Sequence, residues 1–207
     1  GSPVCALCPG GKFQQGQHRN SSDSCVECDA GKFSTNGKSC VSCDRGQYSL
    51  KGSSSCTDCP AGRYGNTTEG TSRDSACPEC DVGQYVNIEG ATTCFSCPPG
   101  SYCGSKGMSE QDQCQVGRYT DERSQITSQE CPAGTYQDRQ GSAKCTDCKA
   151  GKSTLAKKGS SSEDACVICG VGTFSAQDGQ ADCAQCPIGF YQEDEGASEC
   201  KSCVNDF

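Results

Sequence analysis

The chain has 207 residues, a formal net charge of −8 and 23 cysteines, yet Leu, Ile, Val and Phe together number 22 and Trp is absent. So few large apolar side chains exclude an ordinary core, and without cross-links this composition belongs to disordered chains. The cysteine density marks a disulfide scaffold instead, and the acidic balance disfavours nucleic acid and anionic membrane as partners.

One short phrase recurs from the first residues to the last. Cys-x-x-Cys doublets stand at 5/8, 25/28, 40/43, 56/59, 77/80, 94/97, 145/148, 166/169, 183/186 and 200/203. The second cysteine opens Cys-x-x-Gly-x-aromatic, as in Cys28-Asp-Ala-Gly31-Lys-Phe33. Eleven cysteines open such a phrase, and ten of the phrases carry an aromatic at one offset: Phe13, Phe33, Tyr48, Tyr64, Tyr85, Tyr102, Tyr119, Tyr136, Phe174 and Tyr191. The exception reads Cys148-Lys-Ala-Gly151-Lys-Ser153. In most units a second glycine follows the aromatic: Gly37, Gly52, Gly70, Gly90, Gly141, Gly159, Gly179 or Gly196. A polar residue usually precedes it, the signal for a tight turn in which glycine tolerates φ > 0.

Each unit therefore reads as a minimal β-hairpin, with the aromatic on its first strand and its second strand ending at the next doublet. A lone hairpin is not stable in water, so each needs a covalent closure and a neighbour. The expected fold is small, disulfide-rich and β, an elongated tandem array of short hairpins with little hydrophobic core and almost no helix. Such an array is quasi-one-dimensional, each unit touching only its neighbours.

Pairing the second cysteine of one doublet with the first of the next closes each hairpin: Cys8–Cys25, Cys28–Cys40, Cys43–Cys56, Cys59–Cys77, Cys80–Cys94, Cys148–Cys166, Cys169–Cys183 and Cys186–Cys200. Cross-linking a loop of about 15 residues is worth roughly 3 kcal/mol in the chain-entropy model. The alternative pairs first with first and second with second across successive doublets, as 5–25 with 8–28. That scheme should make odd and even units differ, and no alternation is visible, which favours the closed hairpins; sequence alone does not fix connectivity. The aromatic is expected to pack on a disulfide, where sulfur–aromatic contact is favourable.

Between Cys97 and Cys145 the doublets give way to single cysteines. The array is therefore read as a first array over 1–97, an irregular joint over 98–145 and a second array over 146–207. Cys97, Cys103, Cys114, Cys131 and Cys145 are left unassigned, at least one without a local partner, and Cys5 and Cys203 also fall outside the ladder. These are the candidates for intermolecular bonding. Four loops are long, 8–25, 59–77, 114–131 and 148–166, and such loops can mark a displayed face.

Tandem doublets at this spacing also suit structural zinc. Gly-x-aromatic after nearly every doublet and a single histidine, His18, argue against it, and no cofactor is expected. Gly151-Lys152-Ser153-Thr154 imitates a phosphate-binding loop, but the glycine required five residues earlier is Thr146. The run Glu193-Asp194-Glu195 lacks the alternating oxygens of a calcium loop. No nucleophile–base constellation is present, and the chain is read as not an enzyme. Cysteine usage places it outside the cytosol, extracellular or at the cell surface. The sequons at Asn20 and Asn66 are glycan acceptors in that setting. No leader and no membrane-spanning run is seen, so the chain reads as a mature ectodomain or a fragment of one.

The unit Cys-x-x-Cys-Pro-x-Gly-x-Tyr, with a later Gly and a closing Cys-x-x-Cys, resembles the ephrin-receptor-like cysteine-rich repeat; Cys131 to Cys148 and Cys183 to Cys203 match it best. The Gly-x-Tyr loop is similar to the first submodule of tumour necrosis factor receptor repeats, which supports the closed-hairpin pairing. The stretch CPPGSYCGSKGMSEQDQC resembles segments of large surface proteins of algae and other protists. The resemblance implies an extracellular, non-catalytic protein: a rod-like stalk or a subunit of a coat, flagellar hair or other filament that self-associates or meets neighbouring surface proteins. The alternative is a receptor or adhesion ectodomain that binds a protein ligand through its long loops.

Overall fold

The computed structural model describes residues 7–15 and 25–203. Among them lie ten two-stranded antiparallel sheets, each a local hairpin, with a single four-residue helix, Arg73–Ala76, and one short 3-10 turn, Glu163–Ala165. Hairpins are named here by their opening cysteine, so the Cys131 hairpin runs from Cys131 to Cys145. The chain divides into two units, one of residues 1–96 with 105–111 and one of residues 97–104 with 112–207.

The local geometry follows from the repeated phrase. In the Cys131 hairpin, Thr135 N–H donates to the Pro132 carbonyl at 3.1 Å, closing a four-residue turn with Gly134 at φ 88°. Positive φ at the third position makes this a type II turn, which asks for glycine there. The strand Thr135–Tyr136 then pairs with Thr146–Asp147, in the register Tyr136↔Thr146. The second strand is thus the dipeptide inside the doublet, not a segment ending before it. Cys148 N–H closes the hairpin on the Gly134 carbonyl at 2.9 Å.

One hairpin departs for a clear reason. In the Cys59 hairpin the ladder shrinks to a single bridge, Arg63↔Glu79. Tyr64 N–H donates to the Pro78 carbonyl at 3.1 Å, but proline has no N–H to return the bond.

The buried position is the residue after the aromatic. Ser34, Ser49, Val86, Cys103, Thr120, Gln137, Thr154, Ser175 and Gln192 are all buried, and together with the opening cysteines they form the core. Most are small or polar, and their polar atoms are satisfied as burial requires. The Thr120 hydroxyl donates to the Ser101 carbonyl at 3.0 Å, and the Gln137 amide to the Lys144 carbonyl at 2.6 Å. Val86 and Thr120 are the largest fully buried side chains among the described residues.

Contact between hairpins reaches further than the nearest neighbour. The turn glycine of one hairpin donates to the next, as Gly117 N–H to the Gln137 carbonyl at 2.7 Å. It also lies against the turn backbone of the hairpin next but one. A Cβ at Gly134 would run into the Gly179 carbonyl, and one at Gly117 into that of Gly159. In the other unit the same holds for Gly11 against Gly52 and Gly46 against Gly90. The nearest-neighbour expectation is corrected accordingly: at these turns two further hairpins complete the surroundings.

The turn glycine expected at Gly70 is also corrected. Glu69, at φ 57°, takes the left-handed position and donates its N–H to the Cys43 carbonyl at 3.0 Å. Gly70 is instead pressed between the Gln47 carbonyl and Ala76, where a Cβ has no room.

Candidate functional site

Among the described residues ten disulfides form the ladder. Cys8–Cys25, Cys28–Cys40, Cys43–Cys56, Cys59–Cys77 and Cys80–Cys94 lie in one unit. Cys148–Cys166, Cys169–Cys183 and Cys186–Cys200 continue it in the other. Two more, Cys97–Cys103 and Cys131–Cys145, give partners to four cysteines that the sequence left unassigned. Cys114 is free and buried, Cys203 free and exposed. Cys5 lies outside the described residues.

The register explains the middle of the chain. Asp112–Gln113 and Gln129–Glu130 form second strands in hairpins with the same pairing as elsewhere. Each is thus the interior of a doublet whose first cysteine is missing, replaced by Gln111 or Ser128. Cys97, deprived of a partner at 111, pairs with Cys103 at the buried position after Tyr102. Cys114, deprived of one at 128, finds only Thr120 at that same position, and its Sγ donates to the hydroxyl at 3.6 Å. Aligning QDQC and SQEC with the doublets would have shown both substitutions in the sequence.

The repeat aromatics are half-buried, with Tyr191 exposed. Tyr48 packs against the buried group Cys59, Ala76 and Cys77 of the following hairpin, and Tyr64 against the group Cys80, Val86 and Ala91. The one non-aromatic at this position, Ser153, is fully buried, its hydroxyl 3.3 Å from Cys183 Sγ. The loops of the Cys59 and Cys148 hairpins fold back as parallel bridges, Gly70 to Tyr48 and Ser160 to Tyr136, each onto the preceding aromatic.

Charged groups are used in exposed local pairs. Across the hairpin faces Arg63 meets Glu79 at 2.6 Å and Arg118 meets Glu130 at 3.2 Å. Between hairpins Asp178 accepts from Lys149 Nζ and from Ala150 N–H, both at 2.9 Å, and these hold its carboxyl below its ordinary range. Glu193 and Asp194 of the acidic run both bind Lys201. Asp194 foremost, then Glu193, holds that ammonium protonated well above its ordinary range. Gly151 and Lys152–Ser153 form an ordinary turn and strand of the repeat. Among the described residues no group of three or more His, Cys, Asp or Glu is placed to hold a metal ion. No helix among them is long and apolar enough to cross a membrane. Asn66 is exposed; Asn20 and His18 lie outside the described residues.

Large apolar side chains do stand in water. Phe95, 47% exposed, pairs with Tyr85 at a ring separation of 6.2 Å. A denser group, Val167, Ile168, Val171, Ile188, Phe190 and Tyr191, is exposed on the last three hairpins.

Comparison with curated proteins found no match. A family model described as tyrosine-protein kinase ephrin type A/B receptor-like matches residues 31–75, 117–166 and 172–207, well over half of the chain. Repeats of this type and ten disulfides point to an extracellular or cell-surface domain. With the same Gly-x-aromatic hairpin stapled along its length, the chain belongs to the ephrin-receptor-like family of cysteine-rich repeats.

Proposed function

We propose that the chain is a non-catalytic extracellular structural protein, a stalk or subunit of a cell-surface or filament assembly whose copies associate with one another. The observation that supports this most directly is the turn-to-turn contact between alternate hairpins in each unit. It is made by backbone and glycine, so it builds a repeating scaffold and sets no side chains around a substrate. The free, exposed Cys203 adds a handle for bonding between copies, and a glycan on the exposed Asn66 fits a secreted surface protein. The test is non-reducing peptide mapping of native material, with glycan analysis of the Asn66 peptide. Local bridges throughout, together with a cross-link from Cys203 to another copy, are expected. Thiols that are all reactive in the intact protein would overturn the reading.

A receptor or adhesion ectodomain is the second reading. Phe95, exposed beside the half-buried Tyr85, favours it, because a local aromatic patch left in water marks a protein-binding spot. A monomer that captures a ligand, and loses it on Phe95→Ala, would decide for this reading.

A further inference from the structure

The loop of the Cys148 hairpin carries a strained segment. Leu155 and Ala156, at φ 50° and 59°, are the one pair of successive non-glycine residues in the left-handed region among the described residues. Each bears a steric penalty of about 1–2 kcal/mol there, and such strain gathers at switch segments. Its cause is an extra residue. The Cys59 and Cys148 loops close on disulfides of the same sequence separation, 18. Glu69 and Gly159 play the same part in them: each is left-handed and donates its N–H to the opening cysteine of the preceding hairpin, Cys43 or Cys131. Gly159 stands one place further from its opening cysteine than Glu69 does, and Leu155–Ala156 take up the difference.

The strained pair leads directly into Lys157-Lys158, the only adjacent lysines or arginines in the chain. Leu155, Ala156, Lys157 and Lys158 are all exposed. The next two residues clamp the loop to other hairpins. The Gly159 carbonyl lies against the turn at Gly117, and the Ser160 carbonyl accepts from Gln137 N–H at 3.0 Å. An accessible basic pair and a contact between hairpins therefore meet at one peptide bond.

We propose that the Lys158–Gly159 bond is a cleavage site for an extracellular serine endoprotease, and that the cut loosens the scaffold without dividing it. Acidic pockets in such an enzyme select basic side chains beside the scissile bond. Water adds across the bond, leaving a carboxylate on Lys158 and an α-amino group on Gly159. Exposed loops of small and polar residues are the preferred places for such nicks. The loop must first open, since a protease reads an extended strand. Opening breaks few bonds: Ala156 N–H to the Ala181 carbonyl at 2.8 Å, Lys157 N–H to the Thr154 carbonyl at 3.0 Å, the Thr154 hydroxyl to the Lys157 carbonyl at 2.9 Å, and Gly159 N–H to the Cys131 carbonyl at 2.9 Å. It also relaxes the left-handed pair, so cleavage releases stored strain. The Cys148–Cys166 bridge spans the bond and keeps both pieces joined. What changes is the clamp: Gly159 and Ser160 then meet Gly117 and Gln137 from a chain end, tethered on one side only. The proposal does not depend on how copies of the chain associate.

Brief digestion of the native full chain with a subtilisin-type endoprotease specific for paired basic residues tests this. One nick is expected, giving fragments 1–158 and 159–207 that part only after reduction. In the nicked protein the Gln137 amide is expected to exchange about tenfold faster than in the intact chain. Lys158→Gln, at an exposed side chain, is expected to fold as the wild type does and to stay whole. A native chain that stays whole, while the reduced and denatured chain is cut after Lys158, overturns the proposal. A nick that persists in Lys158→Gln also overturns it, because the protease is then reading something other than the basic pair. A nicked protein whose Gln137 amide exchanges as slowly as in the intact chain overturns the loosening.

Discussion

Cys114 and Thr120 face each other across a buried hydrogen bond of 3.6 Å at a sequence separation of six, the separation at which Cys97 and Cys103 form a disulfide. The two hairpins share one geometry, CPPGSYC in one and CQVGRYT in the other, so a threonine stands where its neighbour has sulfur. The buried free thiol occupies the place of a staple, held by a hydroxyl in place of a bond.

Thr120→Cys should therefore create a disulfide between Cys114 and the sulfur introduced at position 120. Closing a loop of six residues is worth about 2 kcal/mol in the chain-entropy model. Against it stands the lost hydroxyl bond to the Ser101 carbonyl, on the order of 1 kcal/mol; Gly100 N–H keeps the Thr120 backbone carbonyl at 2.8 Å. The gain is small, and the decisive readout is thiol counting after denaturation without reductant. A Cys114 that still alkylates in the variant contradicts the shared geometry.

Pro78→Thr should convert the single bridge of the Cys59 hairpin into a full ladder, because Tyr64 and residue 78 already face each other. The restored bond is worth about 1 kcal/mol. Losing proline costs a comparable ~0.4–1 kcal/mol through the unfolded chain. Stability should hardly move, while the new amide at 78 becomes protected in hydrogen exchange. Rapid exchange there would mean that something other than the missing N–H opens this hairpin.

Gly134→Ala should loosen its unit more than Tyr136→Ala. An alanine at φ 88° carries a left-handed penalty of about 1–2 kcal/mol. It also drives a methyl into the Gly179 carbonyl, separating hairpins that are not sequence neighbours. Tyr136 is half-buried, so its truncation should stay below the ~3–5 kcal/mol of a fully buried aromatic. Hydrogen exchange in the Cys169 hairpin is the discriminating measurement. Equal protection in both variants would demote the contact between alternate hairpins.

How much of this was legible depends on which residues carry the information. The stapled hairpins were readable because cysteine, glycine and aromatic recur at fixed offsets, each with one physical use. The buried position after the aromatic was not, since Ser34, Val86, Cys103 and Gln137 share neither polarity nor size. Each meets a different partner, an apolar group at Val86, a disulfide at Cys103 and a backbone carbonyl at Gln137, which the repeated phrase alone does not encode. Glu69 in place of Gly70 was hidden likewise, because a glycine one residue away offered the more obvious turn. The docking partner of each turn lies two hairpins on, beyond any local pattern. Only the gaps at Gln111 and Ser128 were fully present in the sequence, visible once QDQC and SQEC are read as damaged doublets.

The bond between Asp178 and the Cys148 turn should give this region an acid-sensitive hold. Lys149 first, then Ala150 N–H, lowers the Asp178 carboxyl below its ordinary value of 3.8. A folded value below the unfolded one means that the contribution is complete above the unfolded pKa. It fades as pH falls through the folded value, so the window lies below about pH 4. The group is exposed, so added salt should shrink the effect. Asp178→Asn keeps an acceptor for Ala150 N–H but removes the charge. Hydrogen exchange at Ala150 in the wild type should quicken beyond the intrinsic trend as pH falls below about 4, whereas the variant should follow that trend. If the two proteins behave alike, the charge on Asp178 contributes nothing to joining these hairpins, and the neutral backbone contacts between them carry the whole interface.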